Sequence, residues 1–191
     1  LQHFPKEPLC QTLIADRKRV NALRNCYQRQ TGGSLLIGLS WSSLSDDLGP
    51  AKTIQPKQFE SIIKNVDATF VSLQYSPKMQ DLSVFDSIQK EKWIYDPAVN
   101  PITDMEESVA QIAAMDFVIT ISNTTAHTAG ALGIPTALLV PKFSGRHWYW
   151  HRGQNNRNWY PCVTVYEKDD ENSWTNAILQ INSNNQKMVC A

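Results

Sequence analysis

Asp116–Val140 reads DFVITISNTTAHTAGALGIPTALLV, and the fold turns on this stretch. Phe117–Ile121 is short, apolar and β-branched, the composition of a strand buried on both faces. Ser122 and Asn123 interrupt it. Thr124–Leu132 then reads as a helix, closed by Gly133 and followed by Pro135. Thr136–Val140 is a second strand. The helix is built of small residues, Ala126, Ala129, Gly130, Ala131 and Gly133, so it can lie close on a sheet. Its first amides have no internal acceptors and carry about half a positive charge. The predicted anion site is therefore Asn123, Thr124 and Thr125. His127 sits in the first helical turn. A histidine there donates to a phosphate or sugar oxygen, acts as an acid or base, or merely caps; spacing alone leaves these open.

Outward from this unit the alternation continues. Residues 13–29 predict an entering helix with Leu13, Ile14, Val20, Leu23 and Tyr27 apolar, ended by Gly32-Gly33. Ser34–Trp41 reads as the first strand, and 42–50 as the loop after it. Phe59, Ile62, Ile63 and Val66 mark one face of a helix. Ala68–Gln74 is a second strand, 76–92 a loop with at most one helical turn, and Lys92–Tyr95 a third strand. Thr103-Asp104-Met105-Glu106 fits a capping box with Thr103 as the cap. Downstream, 141–161 is a long loop holding Trp148, Trp150 and Trp159; Cys162–Tyr166 is a last strand and 172–182 a terminal helix. The expected class is α/β: a Rossmann-like parallel sheet of about six strands with helices on both faces. Residues 1–33 are assigned to a linker and entering helix, and 34–191 to the domain.

Composition removes several functions. The 191 residues suit one domain, and 42% hydrophobic with 19% charged is an ordinary globular balance. Lys+Arg and Asp+Glu both number 18, which argues against a nucleic-acid partner. No apolar run reaches the ~18 residues of a membrane span. Leu1 opens the chain without a charged and then apolar leader, so the chain reads as a piece of a longer protein. Cys10, Cys26, Cys162 and Cys190 lack CxxC or zinc spacing. This favours a reduced, cytoplasmic protein and leaves one disulfide open. His147 and His151 have a metal-holding spacing, yet no Glu follows His147 and no third ligand is evident, so no metal is expected. For Trp148 and Trp150 beside them, packing is favoured over stacking on a base. The absence of GxGxxG, GxxxxGK and GxSxG disfavours NAD-type, P-loop and hydrolase chemistry.

In open parallel sheets, ligands bind beyond the carboxyl ends of the strands. Ser40–Lys52, Gln74–Lys78, Asn100–Glu106 and Ser122–His127 lie there. Lys52 suits a phosphate as a point charge.

These residues carry a family resemblance. DFVITISNTTAHTAGALGIPTALLVP resembles the donor-binding core of heptosyltransferase-like glycosyltransferases. More closely, it resembles the glycosyltransferase domain that often follows tetratricopeptide repeats in bacterial proteins. LIADRKRVNALR, LIGLSW, KTIQPKQF, FVSLQ and HWYWHRGQNNRNWYP resemble, in chain order, that domain's linker helix, first strand, following segment, second strand and tryptophan-rich loop. The resemblance implies GT-B architecture, two Rossmann-like domains across a cleft, with this chain as the second, donor-binding half. A first domain and tetratricopeptide repeats would lie elsewhere in the polypeptide.

Residue by residue, Asn123, Thr124 and Thr125 match the loop that cradles the donor diphosphate, and His127 matches the family histidine, assigned here as catalytic. Lys52 matches the family's basic residue. Gln74 falls where ribose or base contacts are expected, and Asp104 near the base-binding edge. Ser122 stands where heptosyltransferases usually carry Asp, which disfavours a heptose donor. The implied ligand is a nucleotide diphosphate sugar, with no metal or other cofactor. The helix start, Lys52 and His127 would stabilise the leaving phosphate. The family's catalytic base belongs to the other domain, so catalysis by this chain alone is not expected. Two rivals remain: a non-catalytic binding or scaffold domain, favoured by Ser122, and a nucleotide-sugar epimerase, for which only Asp46, Asp47, Asp104 and Glu106 lie near the edge.

Overall fold

The computed structural model describes residues 11–150, 159–169 and 173–188. Its strands are β1 (Leu35–Ser40), β2 (Ala68–Ser72), β3 (Trp93–Ile94), β4 (Phe117–Ile121), β5 (Thr136–Val140) and β6 (Val163–Glu167). They form one 6-stranded sheet in the order β3-β2-β1-β4-β5-β6. Every neighbouring pair is parallel. The expected Rossmann-like α/β class is the one observed, and β4 and β5 fall on the expected residues.

Strands apolar along both faces need cover on both. Ile37, Leu39, Phe70, Ile119 and Leu139 pack to one side. There they meet α3 (Glu60–Asn65), α4 (Met79–Gln89) and α7 (Thr175–Met188). Leu36, Val71 and Val118 pack to the other side. Their cover is α1 (Arg17–Thr31), α5 (Met105–Ala113) and α6 (Thr124–Leu132). A short helix, α2 (Gly49–Lys52), follows the loop after β1.

Several expectations need correction. Residues 76–92 are not loop, because α4 occupies most of them and buries Leu82 and Phe85. Phe85 stacks on Trp93 at 4.1 Å and meets Trp41 edge-on at 4.7 Å. Leu82 and Phe85 anchor this helix and Ile88 packs beside them, so the apolar residues recur every three positions along its buried face. Helix α1 starts at Arg17, later than predicted, because Asp16 Oδ1 accepts from the Lys18 and Arg19 amides at 2.8 and 2.9 Å. Leu13 and Ile14 therefore precede it. The cap of α5 is Asp104, which accepts from the Glu107 amide at 2.9 Å; the Thr103 hydroxyl donates to the Asn100 carbonyl instead. Helix α7 (Thr175–Met188) overlaps the predicted 172–182 and starts and ends later.

The entering helix is packed into the same unit. Leu23 and Tyr27 join the core. The Tyr27 hydroxyl donates to Asp96 and accepts from Gln111, both at 2.9 Å. Arg24 donates to Asp116 and to the Ala114 carbonyl, each at 2.7 Å. Among the described residues, no helix is long and apolar enough to cross a membrane.

The helices that follow β1 and β4 leave to opposite faces of the sheet. Adjacent strands with that property open a crevice between their carboxyl ends.

Candidate functional site

A cavity of about 340 Å³ occupies this crevice. Leu44, Leu73, Ile102, Met105 and Ile112 supply apolar walls, while Ser42, Ser43, Thr124, Thr125 and Thr128 supply hydroxyls. Among the described residues, no Lys, Arg, Asp or Glu side chain lines it.

The polar end of the cavity is the start of α6. Asn123 caps this helix, with Oδ1 accepting from the Ala126 amide at 3.4 Å and from the Thr120 hydroxyl at 3.0 Å. Its Nδ2 donates to the Ser40 hydroxyl at 2.8 Å, tying the end of β1 to the end of β4. The Asn123 amide donates within the chain, to the Ile121 carbonyl at 2.8 Å. The amides of Thr124 and Thr125 begin the helix and have no intrahelical acceptors, so they are the donors left for a ligand.

Gln74 is buried and acts as a clamp. Its Oε1 accepts from the Trp41 and Ser42 amides at 2.9 Å and from the Ser40 hydroxyl at 3.2 Å. Its Nε2 donates to the Tyr75 and Ser42 carbonyls at 2.9 and 3.2 Å. It lines the cavity, yet its polar atoms serve the loops after β1 and β2. Asp104 is turned away from the cavity. The Glu107 amide and then Arg19 hold its carboxyl below the usual range. Its neighbours Ile102 and Met105 form the wall instead.

Thr124, Thr125 and Thr128 face the cavity, and His127 faces the other way. Its Nδ1 lies 3.2 Å from the Tyr160 hydroxyl, and its ring stacks on Trp150 at 5.0 Å. Trp150 is buried and donates from its indole to the Ser122 hydroxyl at 2.8 Å. Of the paired tryptophans, Trp150 packs as expected, whereas Trp148 is 66% exposed. Lys52 is only 4% exposed. Its ammonium donates to the Ser122 carbonyl and lies 3.3 Å from His147 Nε2. Burial pushes the Lys52 ammonium down from its ordinary range, and among the described residues no carboxylate opposes the shift. His147 is lowered by burial and then by Lys52; His127 is lowered by burial and then by His147. Both imidazoles are thus biased towards the neutral form.

The structure brings Ser122, Asn123, Thr124, Thr125, Lys52 and His127 around the start of α6. It sets Gln74 on the cavity side as a clamp and leaves Asp104 apart. Sequence reading missed the partnership of His147 with Lys52 and of Tyr160 with His127. The Trp-Tyr-Pro at 159–161 was the available signal for Tyr160. His151 lies outside the described residues. Among the described residues, no three His, Cys, Asp or Glu side chains are placed to hold a metal ion.

By its sheet and crevice, the chain is a Rossmann-like α/β domain, and its fold is similar to that of solved glycosyltransferases. Solved structures share this architecture. The ADP-heptose LPS heptosyltransferase II of E. coli matches with a TM-score of 0.55 at 16% identity, covering 81% of this chain and 44% of that one. A family 9 glycosyl transferase from Veillonella parvula DSM 2008 matches with a TM-score of 0.56 at 14% identity, covering 88% and 46%. At these identities the likeness is one of fold. No family model matches the sequence. Among curated proteins, Protein FlbA of Caulobacter vibrioides is 29% identical over 141 residues, 72% of this chain and 23% of that protein. The chain thus spans less than half of the two structures, and under a quarter of the curated relative.

Proposed function

We propose that this domain is the donor-binding half of a glycosyltransferase, which holds a nucleotide diphosphate sugar in the cytoplasm for transfer to an acceptor seated elsewhere in the protein. One observation carries the reading: an apolar-walled cavity at the strand-order switch point ends on the open amides of α6. A nucleoside would lie against Ile102 and Met105, with its diphosphate on the Thr124 and Thr125 amides. Lys52 and His127, on the far side of the helix start, would meet the sugar end and stabilise charge on the leaving phosphate. The buried ammonium of Lys52, with no carboxylate beside it among the described residues, supports an anionic ligand. The missing half, the acceptor base and tetratricopeptide repeats belong, on this reading, to the rest of the polypeptide.

Calorimetry with UDP, GDP and ADP tests it. At least one should bind weakly; no heat from any of the three counts against the reading. Thr124→Pro gives a sharper test. Proline suits the first helical position, and Asn123 before it is already extended, so the helix survives while one amide donor is lost. Affinity should fall about tenfold, as for one hydrogen bond to a charged group.

A binding-only role is the second reading. Ser122 favours it, since its hydroxyl is engaged by Trp150 and supplies no acid at the site. This reading requires that His127→Ala leave turnover by the full-length protein unchanged.

A further inference from the structure

We propose that Tyr160 is a positioning residue for His127: its hydroxyl donates to Nδ1 and holds the imidazole with its proton on Nε2, so His127 meets a ligand oxygen as a hydrogen-bond donor and not as a base. The identity of that ligand rests on the donor-binding reading; the state of the ring does not.

The two polar atoms are 3.2 Å apart. A phenol is a stronger acid than a neutral imidazole, and an imidazole nitrogen accepts better than a phenol oxygen. The shared proton therefore stays on oxygen, and Nδ1 accepts. The ring is also fixed from its face. Trp150 stacks on it with an interplanar angle of 29°, and the Trp150 indole is itself anchored on Ser122. The backbone makes room for this arrangement. The Tyr160 ring lies so close to Gly130 that a Cβ there would come within 2.4 Å of its Cγ. Gly130 follows His127 by three positions on α6, so the tyrosine runs along one side of the helix up to the imidazole. Burial and the neighbouring His147 bias the ring towards its neutral form. Tyr149 lies at 5.4 Å, and among the described residues no carboxylate acts on the ring to draw a proton from Nε2. Nδ1 is thereby committed to Tyr160, and the Nε2 proton remains for a ligand.

The test is nitrogen NMR of histidine-labelled protein without ligand, about one unit above the ordinary imidazole pKa of about 6.5. His127→Gln assigns the resonance. The wild type should show a bare Nδ1 and a protonated Nε2. In Tyr160→Phe, confirmed folded by its melting curve, Nδ1 should lose its hydrogen-bonded shift and the ring should sample both tautomers. A protonated Nδ1 in the wild type, or a ring unchanged in Tyr160→Phe, overturns the proposal. With whichever nucleotide diphosphate binds, His127→Ala should weaken affinity about ten- to a hundredfold. His127→Gln keeps a donor and should lose clearly less; equal loss in both overturns the donor role. If no nucleotide binds the wild type, the donor-binding reading fails while the ligand-free spectra still decide the role of Tyr160.

Discussion

Replacing Gln74 by Leu keeps the size of the side chain and removes every hydrogen bond of the clamp. In the wild type, Oε1 takes the Trp41 and Ser42 amides, each at 2.9 Å. After substitution both donors lose their acceptor. A buried donor left unsatisfied costs about 1–3 kcal/mol. Trp41 is fully buried, so its amide bears that cost in full, whereas Ser42 is half-exposed and regains water. The expected loss is about 2–4 kcal/mol, a large part of the ~5–15 kcal/mol that stabilises a domain. With a urea slope near 2 kcal/mol/M, the unfolding midpoint should fall by roughly 1–2 M. A fall under about 0.3 M with an unchanged slope would mean that the amides find other acceptors and that Gln74 is no clamp. Gln74→Glu adds a check of sign. Its second carboxyl oxygen would face the Ser42 and Tyr75 carbonyls, which favours the protonated acid and raises its folded pKa. A raised folded pKa contributes stability that is fully present below the unfolded value of about 4.3 and lost as pH rises through the folded value. The gap to wild type should therefore narrow as pH falls from about 7 to about 4. A gap independent of pH refutes the assignment.

Three further outcomes follow from the packing and the histidines. Phe85→Ala should cost about 3–5 kcal/mol in urea unfolding, because a fully buried ring between Trp41 and Trp93 is lost; a cost under ~1 kcal/mol would contradict the tertiary anchoring of α4. Gly130→Ala should force the Tyr160 ring off α6 at about 1–3 kcal/mol and break its bond to His127, which the His127 nitrogen spectrum reads directly. Both His127 and His147 have depressed folded pKa values, so their contribution to stability is present above the unfolded value of about 6.5 and is lost as pH falls through the folded values. Urea midpoints should drop between about pH 7 and 5, and the His127→Gln, His147→Gln double variant should flatten that drop; an unchanged slope in the double variant refutes it.

Much of the architecture was legible in the chain. β4, α6 and β5 read to the residue because their signals are local: a buried apolar run, an Asn cap, a Gly stop at φ 77° and a following Pro. The open amides at the start of α6 were readable for the same reason, since free amides belong to any helix start. Helix α4 was missed although Leu82, Phe85 and Ile88 recur every three residues, because that short face is interrupted by polar residues and becomes decisive only against Trp41 and Trp93. The roles of individual site residues were not legible either. Gln74 looked like a ligand contact, but its acceptor oxygen serves amides 32 and 33 residues away. Lys52 reads as a point charge for a phosphate, but its burial against His147, 95 residues on, was not visible. His127 was visible, while the tyrosine that holds it, 33 residues later, was not. The sequence alone determined the strands, most of the helices and which helix start offers open amides, because those properties depend largely on neighbours along the chain. The tertiary structure alone decided which side chains face the cavity and which hold one another, because the order β3-β2-β1-β4-β5-β6 brings distant loops to one edge, where burial leaves each polar group to find whatever partner lies beside it.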